Sequence, residues 1–454
     1  MKEFNEEFLE RVRNAADSRD DVQARAILND LHPADIAELY NELDIEQAEY
    51  LNKLLDGDKA ADVLMELDED DRRKLLSHME PEDIARKFVD HLDTDEAVDL
   101  IQELDEEDRD EVLSHIDDVE QAGDIIDLLK YDEDTAGGLM GTEMLVVNEN
   151  WSMPECIKQL RMQAEDMDEI YYVYVVDNDD RLRGTLPLKE LITHPSVSKI
   201  KNVMETDPVA VKTDTPLDDV AIDFEKYDLV AMPVVDSIGR LLGRITVDDV
   251  MDEVRESSER DYQLASGLSS DVDADDSILS QTKARIPWLL IGIASGILAS
   301  IILAGFESQL QAVTALALFI PIIGGTGGNV GVQASAIVVQ GLANGSLDIR
   351  EFSRQLGKEI LVGLLNATII SLVILVYNLV VMPTQLAVTL SVAVSLFVVV
   401  MFATTLGTIV PLTLEKLHIN PALATGPFIQ IMNDIVGLMI YVGISTWFLH
   451  IFGV

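Results

Sequence analysis

Five long apolar runs in the C-terminal part constrain the fold of this chain more than any other feature. A helix needs about 20 such residues to cross the hydrocarbon core of a bilayer. Because backbone groups inside a bilayer must satisfy their own hydrogen bonds, these runs predict helices. The predicted spans are 287–305, 312–340, 360–381, 386–412 and 422–451. The C-terminal part is therefore predicted to be an α-helical membrane domain.

The last predicted span carries one acidic residue, Asp434. An ionised carboxylate at the centre of a spanning helix costs roughly 2.5–3.5 kcal/mol on insertion scales, so it persists where it meets water or a partner. No basic residue of the C-terminal half lies inside an apolar run to neutralise it. One interpretation is a protonated acid that is hydrogen-bonded between helices. The functional interpretation is a cation site in a pore.

The second span supplies further polar elements at membrane depth. It is too long for one crossing, and Pro321 and the sequence GGTGGN at 324–329 predict interruptions. Such residues occur where backbone lines a cavity, or where helices approach closely. The fifth span adds a Gly-Pro pair at 426–427, and Asn433 beside Asp434. Carbonyl, amide and carboxylate oxygens together are the ligands that hard cations prefer.

The net charge of −49 lies entirely in the first 276 residues, which hold 76 acidic and 27 basic residues. Such a surface repels nucleic acid and anionic lipid and attracts cations, although an acidic composition also serves solubility. The single Cys156 excludes an intrachain disulfide, and the acidic N-terminus MKEFNEEFLE is not a signal peptide. The soluble part is expected to stay in the cytoplasm.

The basic residues of the membrane part predict its orientation. With the N-terminus inside, every one of them falls in a loop predicted to be cytoplasmic, as the positive-inside rule requires. These residues are Lys283, Arg285, Arg350, Arg354, Lys358 and Lys416. A multi-pass protein of the cytoplasmic membrane with its C-terminus outside is therefore expected.

The chain begins with a repeat of apolar residues spaced 12 or 13 positions apart. The repeated positions are Leu31, Leu43, Leu55, Leu67, Met79, Leu92, Leu104 and Ile116. The segment after each opens with acidic residues of the kind that cap a helix, followed by apolar residues at helical spacing. This pattern predicts short helices stacked as a solenoid. The capping aspartates are structural in the first instance.

From about Tyr131 the pattern changes to mixed α/β. The runs YYVYVVD at 171–177 and AMPVVD at 231–236 predict strands, and each is followed by a glycine-containing strand and a helix. The two halves look like the tandem cystathionine-β-synthase (CBS) module, a pair that commonly senses a ligand. Asp271, Asp273 and Asp275 fail the EF-hand pattern, which requires glycine at its sixth position.

A polar, acidic segment at 252–279 is predicted to be a helix that connects the soluble and membrane parts. The expected fold is a multidomain membrane protein with an all-α superhelical N domain, an α/β CBS-domain pair, a connecting helix and an α-helical transmembrane domain. The expected boundaries are 1–130 for the N domain, 131–200 and 201–255 for the CBS units, 256–282 for the connecting helix and 283–454 for the membrane domain.

Several motifs together resemble the MgtE family of magnesium channels, in the expected order along nearly the whole chain. They are LLKYDEDTAGGLM at 128–140, the paired CBS-like units, GFES at 305–308, GTGGNVGVQAS at 325–335 and PFIQIMNDIVGLMIY at 427–441. The resemblance implies a homodimer with a connecting plug helix, five transmembrane helices per chain and an ion path on the dimer axis. It also implies magnesium uptake that is closed by intracellular Mg²⁺ bound between acidic cytosolic domains.

The resemblance further implies roles for individual residues. Asp434 matches the selectivity site and Asn329 the pore-side glycine-rich segment, to which we add Asn433 as a pore residue, while Val332 stands where other members often carry a second amide. The residues that match regulatory metal ligands are Asp62, Asp95, Asp99, Asp218, Asp228, Asp249, Asp252 and Asp261. Three positions depart from acids that are common in the family, namely Pro216, Ser257 and Arg260.

Magnesium suits such a pore because Mg²⁺ keeps most of its waters and is usually bound through one or two carboxylates. Two alternatives remain: a secondary transporter of divalent cations coupled to Na⁺ or H⁺, and a metal sensor that the membrane part only anchors. The seven histidines are scattered, and no phosphate loop or nucleophile elbow occurs, so no enzyme is predicted. Expected partners are a second copy, the bilayer and divalent cations, but no nucleic acid. A nucleotide is a candidate ligand of the CBS pair.

Overall fold

The computed structural model describes residues 4–454 apart from 165–166, 168–169, 196–197, 271, 273–275, 308–312, 344–346, 348–351, 382–384 and 453–454. The three aspartates tested against the EF-hand pattern, Ser308 of GFES and the loop base Arg350 lie outside the described residues. The chain divides into two compact units, Met1–Met251 and Asp252–Val454.

The first unit begins with short helices, as the repeat predicts. They are α1 (Glu6–Asp17), α2 (Asp21–Asn29), α3 (Pro33–Tyr40), α4 (Ile45–Leu54), α5 (Gly57–Met65), α6 (Glu69–Leu76), α7 (Pro81–Lys87), α8 (Thr94–Gln102), α9 (Glu106–His115) and α10 (Val119–Leu128), with a 3₁₀ turn at Val89–His91. Their buried side chains form one continuous core that extends into the second CBS unit.

The repeated apolar residues lie in the links between these helices. Leu67 and Leu92 are buried there, and the residue that follows each is the N-cap of the next helix. At Asp44 the cap is a complete capping box with Gln47. At these links a buried apolar residue is followed directly by an acidic helix start.

Two small sheets follow with the same connectivity, which confirms the predicted CBS pair. The first has β1 (Leu145–Asn148), α11 (Met153–Gln163), β2 (Val173–Val176), β3 (Leu182–Leu186), α12 (Leu188–Thr193) and β4 (Glu205–Thr206). The second has β5 (Val211–Lys212), α13 (Leu217–Tyr227), β6 (Ala231–Val235) and β7 (Leu241–Thr246). In each, a parallel pair is followed by an antiparallel pair with a bulge, at Val175/Val176 and at Val234/Val235.

Helix α14 (Val247–Ser266) crosses the boundary between the two units, and five candidate membrane helices follow among the described residues of the second unit. These are α15 (Ile278–Gly305), α16 (Ile320–Ala343) with a 3₁₀ segment before it at Thr314–Phe319, α17 (Phe352–Val380), α18 (Leu386–Lys416) and α19 (Gly426–Phe452) after a 3₁₀ turn at Pro421–Ala424. Helix α18 packs against α16, α17 and α19 and is the most buried of the five. The described residues thus bear out the prediction of five helices long and apolar enough to cross a membrane.

Two local predictions were wrong. The GGTGGN sequence does not interrupt its helix, because residues 324–329 are helical throughout and only the segment before Ile320 departs from the α-helix. The connecting helix ends at Ser266 rather than near 279, because Gly267 adopts a positive φ of 85° there. Gln263 then bonds the backbone of Val272 in the link that follows.

Candidate metal sites

The glycines of α16 let neighbouring helices approach its backbone. A Cβ placed at Gly331 would lie 2.0 Å from Asn433 Nδ2, and one placed at Gly328 would lie 3.3 Å from Gln430 Cγ. Helix α18 approaches α16 through a glycine of its own, since a Cβ placed at Gly407 of α18 would lie 2.4 Å from the carbonyl oxygen of Gly331. Small residues allow such close packing of membrane helices. The glycines therefore serve packing here, as one of the two sequence interpretations predicted.

Asp434 lies where α19 meets the glycine-rich part of α16. It is half-buried on α19, and a Cβ placed at Gly324 would lie 3.4 Å from its Oδ1. Gln430, one helical turn earlier, is exposed. Asn329 and Gln333, which also stand one turn apart, are exposed on α16. Polar side chains thus lie on the outer faces of two apolar helices of a single chain.

Asn433 lies on a different face of α19 from Asp434. Its side chain is 1% exposed and packs over Gly331 inside the helix bundle. Among the described residues, neither its Oδ1 nor its Nδ2 has a hydrogen-bond partner. The structure therefore does not bring the predicted pore residue Asn433 together with Asp434. Val332, beside Gly331, is half-buried.

A second group of acids lies within the first unit. Carboxylate oxygens of Asp93, Asp95 and Glu143 all lie within 4.8 Å of one another. Asp93 and Asp95 stand at the start of α8, and Glu143 precedes β1. Thr94 N and Oγ1 donate to the Glu143 carboxylate at 3.1 and 3.0 Å. A Cβ at Gly141 would lie 2.7 Å from Asp95 Oδ2. Only glycine at position 141 therefore leaves room for the Asp95 carboxylate.

Asp249, in the first turn of α14, adds its charge to this cluster. Burial raises the pKa of Asp95 well above its usual value, and the charges of Asp249, Glu143 and Asp93 raise it further. Burial likewise raises the pKa of Asp249, which accepts hydrogen bonds from the backbone and side chain of Thr246. The short distances between the carboxylates crowd like charges in a partly buried place, which disfavours their charged forms.

Glu96 joins the same electrostatic neighbourhood. Burial, followed by the charges of Asp93, Asp62 and Asp249, raises its pKa to about 7. The Arg244 guanidinium is the nearby base, with Nη2 3.6 Å from Asp93 Oδ2. A set of closely spaced carboxylate oxygens fits a hard divalent cation, which would relieve the repulsion that raises these pKa values.

The remaining predicted regulatory residues are dispersed. Asp62 on α5 and Asp99 on α8 are exposed, with Asp62 close enough to act on Glu96. Asp218 and Asp228 are exposed at opposite ends of α13, where Asp228 has a left-handed backbone. Of the eight predicted regulatory residues, all of them described, only Asp95 belongs to the cluster; the charge of Asp249 acts on Asp95, and that of Asp62 acts on Glu96.

Two predicted residues lie on the part of α14 that belongs to the second unit. Asp252 is exposed, with Arg255 Nη1 3.9 Å away. Asp261 accepts a hydrogen bond from Asn420 Nδ2 at 2.8 Å, just before the 3₁₀ turn that leads into α19. Gly426 has no room for a Cβ, which would lie 2.0 Å from the carbonyl oxygen of Ala265. The end of α14 therefore packs against the start of α19.

The three positions that the sequence resemblance sets apart lie at the start of α13 and on α14. Pro216 is the N-cap of α13, and Ser257 is half-buried on α14. Arg260 pairs with Glu253, with Nη2 3.2 Å from Oε1.

Sequence reasoning missed Asp93, Glu143 and Gln430. Glu143 is about 50 residues from Asp95 in sequence, so no local spacing points to it. Asp93 was identified only as a capping acid, although it stands two residues before Asp95. Gln430 could have been found, because it lies four residues before Asp434 and therefore shares its helix face.

Family models match four segments of the chain. One described as a divalent cation transporter matches residues 320–444, one described as the MgtE intracellular N domain matches 31–134, and the CBS domain matches 136–196 and 200–256. Together with the five candidate spans, these matches define the class as a membrane transporter of divalent cations that carries a CBS pair.

Relatives over nearly the full length identify the family. A protein named magnesium transporter MgtE from Thermus thermophilus is 35% identical over 98% of this chain and 100% of its own length. One of the same name from Bacillus subtilis is 31% identical over 70% of this chain and 71% of its own. The chain belongs to the MgtE family of magnesium transporters. Membership confirms the resemblance seen in the sequence and the prediction that the chain is not an enzyme.

Solved structures are similar to the soluble part. The soluble part of a magnesium transporter is 30% identical, with a TM-score of 0.51, and the match covers 56% of this chain and 99% of that one. The cytosolic domain of the Mg²⁺ channel MgtE in complex with ATP is 34% identical, also with a TM-score of 0.51, and covers 54% and 99%.

Proposed function

We propose that this chain is a Mg²⁺-selective channel for magnesium uptake across the cytoplasmic membrane. The observation that carries the proposal is the position of Asp434, the sole acid of the apolar helix α19, against the glycine-rich part of α16. A carboxylate at this depth requires water or a cation beside it. The full-length relatives named magnesium transporters support the choice of ion.

The pore is proposed to form between two copies of the chain. Asp434 is half-buried, and Gln430, Asn329 and Gln333 are exposed on the same two helices. Oligomers of this kind are most often two-fold symmetric, which would place two Asp434 carboxylates across one path. Amide side chains beside them would accept hydrogen bonds from the water shell of Mg²⁺. The ion would therefore pass hydrated, held by two carboxylates rather than by a dehydrating cage.

We propose that intracellular Mg²⁺ closes this channel by binding in the cytosolic domains. The support is the cluster of Asp93, Asp95 and Glu143, to which Asp249 adds charge from the first turn of α14. A cation that binds there would hold the N domain, the first CBS unit, which supplies Glu143, and the start of α14 in one arrangement. Because a ligand shifts a conformational balance only by its differential affinity, closure requires that the cluster be intact only in the closed state.

ATP is the proposed nucleotide ligand of the CBS pair, because the similar cytosolic domain solved with ATP is 34% identical. Titration of ATP into the purified chain without Mg²⁺ tests this binding by calorimetry. Absence of saturable heat would contradict it.

The proposed orientation places the N-terminus and Lys416 in the cytoplasm and the C-terminus outside. Cys156 is buried and is the only cysteine of the sequence. Labelling by a thiol reagent therefore reports on an exposed cysteine introduced elsewhere. Leu417, which is 61% exposed, is a suitable site. Leu417→Cys should react with an impermeant thiol reagent only from the cytoplasmic side, and labelling from outside would refute the five-span orientation.

Metal flux into liposomes tests the channel itself. The purified chain should pass Mg²⁺ down its electrochemical gradient without Na⁺ and without a proton gradient. A flux that stops when both are removed would instead support the coupled transporter. Absence of any Mg²⁺ flux, under conditions where the chain is folded and inserted, would overturn both.

A further inference from the structure

A basic cavity lies in the N domain, in the most acidic part of the chain. It has a volume of about 410 Å³ and is lined by Lys53, Arg86, Lys87 and His91, with Asp83 as its one carboxylate among the described residues. Leu55 and Met79 supply an apolar wall. The cavity does not include the acidic cluster described above. Three fixed positive charges and an imidazole therefore converge where the overall composition predicts the opposite.

The basic groups are held in place by the fold. Lys87 ends α7 and donates from Nζ to the carbonyl oxygen of Asn52 at 2.6 Å, which ties α7 to α4. The His91 ring lies over the backbone of Gly57, where a Cβ would be 2.2 Å from Nε2, and its Nδ1 is 2.6 Å from Asp58 Oδ1. These contacts hold the Lys87 and His91 side chains in position, and the charges of Lys53, Arg86 and Lys87 still face one acid of the lining, Asp83.

The charges in the cavity are not balanced from within. Burial lowers the pKa of Lys87, the charge of Lys53 lowers it further, and Arg25 acts in the same direction while Asp83 opposes them. Arg86 pairs with Glu82 at 2.7 Å, but this pair is exposed and contributes little. Among the described residues, no ion pair forms to Lys53. An anion in the cavity would relieve this repulsion.

We propose that this cavity binds the phosphate group of a small phosphorylated ligand. Two ammonium groups and a guanidinium supply donors from several directions, which suits a tetrahedral dianion better than a planar carboxylate. The apolar wall of Leu55 and Met79 suits an organic portion attached to that phosphate. The net charge of −49 does not prevent binding, because at 0.1 M salt the Debye length is about 10 Å and the distant acids are screened.

Phenyl phosphate is the probe, because it combines a phosphate dianion with an apolar group. It is titrated by calorimetry into the purified full-length chain in EDTA, which prevents magnesium phosphate complexes. Inorganic phosphate and benzoate are titrated in parallel. Phenyl phosphate should bind most tightly, inorganic phosphate should bind at the same site, and benzoate should bind at least about tenfold more weakly than phenyl phosphate, which corresponds to about 1.4 kcal/mol. Equal binding of benzoate would overturn the assignment to phosphate.

The double variant Lys53→Gln/Arg86→Gln locates the site, since both side chains are exposed enough to change without loss of packing. It should weaken the binding of phenyl phosphate at least about tenfold, or about 1.4 kcal/mol.

The matched control is Arg73→Gln/Lys74→Gln, which removes the same charge from α6 and also breaks an exposed i,i+4 pair, Arg73 with Glu69. The control should change binding by no more than about twofold, as surface charges do. Equal losses in both variants, or no loss in the first, would overturn the site, including the case in which the probe binds at the CBS pair. Unchanged thermal unfolding of both variants verifies the fold.

Discussion

In the first unit Asp95 shares a half-buried cluster with Asp93 and Glu143, whereas in the second unit Asp434 is the sole acid of an apolar helix. The cluster is supported by side-chain donors, namely Thr94 to Glu143 and Thr246 to the neighbouring Asp249. Around Asp434 the helices approach through glycines instead.

Under the function proposed above, this difference would suit two uses of one ion. Crowded carboxylates repel one another until a cation enters, so they favour a bound state that can report the Mg²⁺ concentration. A single carboxylate per chain holds a hydrated ion more weakly, and conduction requires that the ion also leave. The acidic residues of the two units therefore should not be interchangeable, and the predictions below test that separation in order of decreasing effect.

Asp434→Asn should give the largest effect. The substitution keeps the side-chain shape and removes the charge that attracts the ion, so Mg²⁺ flux in liposomes should fall roughly hundredfold, which corresponds to about 2.8 kcal/mol. Glu415→Gln is the matched control, because Glu415 lies at the end of α18 and its loss should leave flux unchanged. Full flux in Asp434→Asn would exclude Asp434 as the essential charge of the pore.

Gly407→Ala tests whether the second unit depends on backbone approach. The new Cβ would lie 2.4 Å from the Gly331 carbonyl oxygen and 3.1 Å from Ala334 Cβ. Overpacking of this kind costs about 2 kcal/mol, so the thermal unfolding midpoint in detergent should fall.

Gly443→Ala on α19 is the control for this change. Nothing lies within 4 Å of a Cβ there, and alanine favours a helix over glycine by about 0.8–1.0 kcal/mol. Its midpoint should rise slightly. If both variants unfold at the same temperature, the close contact between α16 and α18 does not contribute to stability.

The sequence predicted the elements better than the contacts between them. Links such as Leu43–Asp44, where Asp44 forms a capping box, specify their own helix starts locally, and the five apolar runs need only length and hydropathy. The glycine-rich segment was predicted to break its helix, because intrinsic propensity disfavours glycine. Packing of Gly328 and Gly331 against α19 outweighs that propensity. Glu143 and the burial of Asn433 could not be predicted, because both depend on how distant elements pack.

Deletion of residues 1–130 tests the proposed regulatory role of the cluster. The deletion removes Asp93 and Asp95 while leaving Asp434 in place. The truncated chain should require about tenfold more cytoplasmic Mg²⁺ for closure, a change of about 1.4 kcal/mol. Mg²⁺ flux measured with no Mg²⁺ on the cytoplasmic side is the control and should equal that of the full chain. Closure of both chains at the same Mg²⁺ concentration would show that the N domain is not part of the sensor.

Asp95→Asn should give the smallest effect, but its effect on stability should change sign between EDTA and Mg²⁺. Without metal, the wild-type cluster is destabilised by its own repulsion, because burial and three neighbouring acids raise the pKa of Asp95. Asparagine keeps the oxygen that accepts from Glu96 N at 3.0 Å and removes the charge. The variant should therefore be more stable than wild type in EDTA, by roughly 1 kcal/mol, the usual scale of one substitution.

With Mg²⁺ the order should reverse, since wild type gains the binding free energy of an ion that the variant holds less tightly. Thermal unfolding of the full chain, measured in EDTA and at increasing Mg²⁺, gives the stability of each variant without and with the metal. Asp108→Asn, an exposed acid on α9, should leave both curves unchanged. A crossing of the Asp95→Asn and wild-type curves would be the signature of a metal site, because an acid with only a structural hydrogen bond would change both arms in the same direction. Parallel curves would leave the cluster as a helix start with crowded charges and remove it from the mechanism of closure.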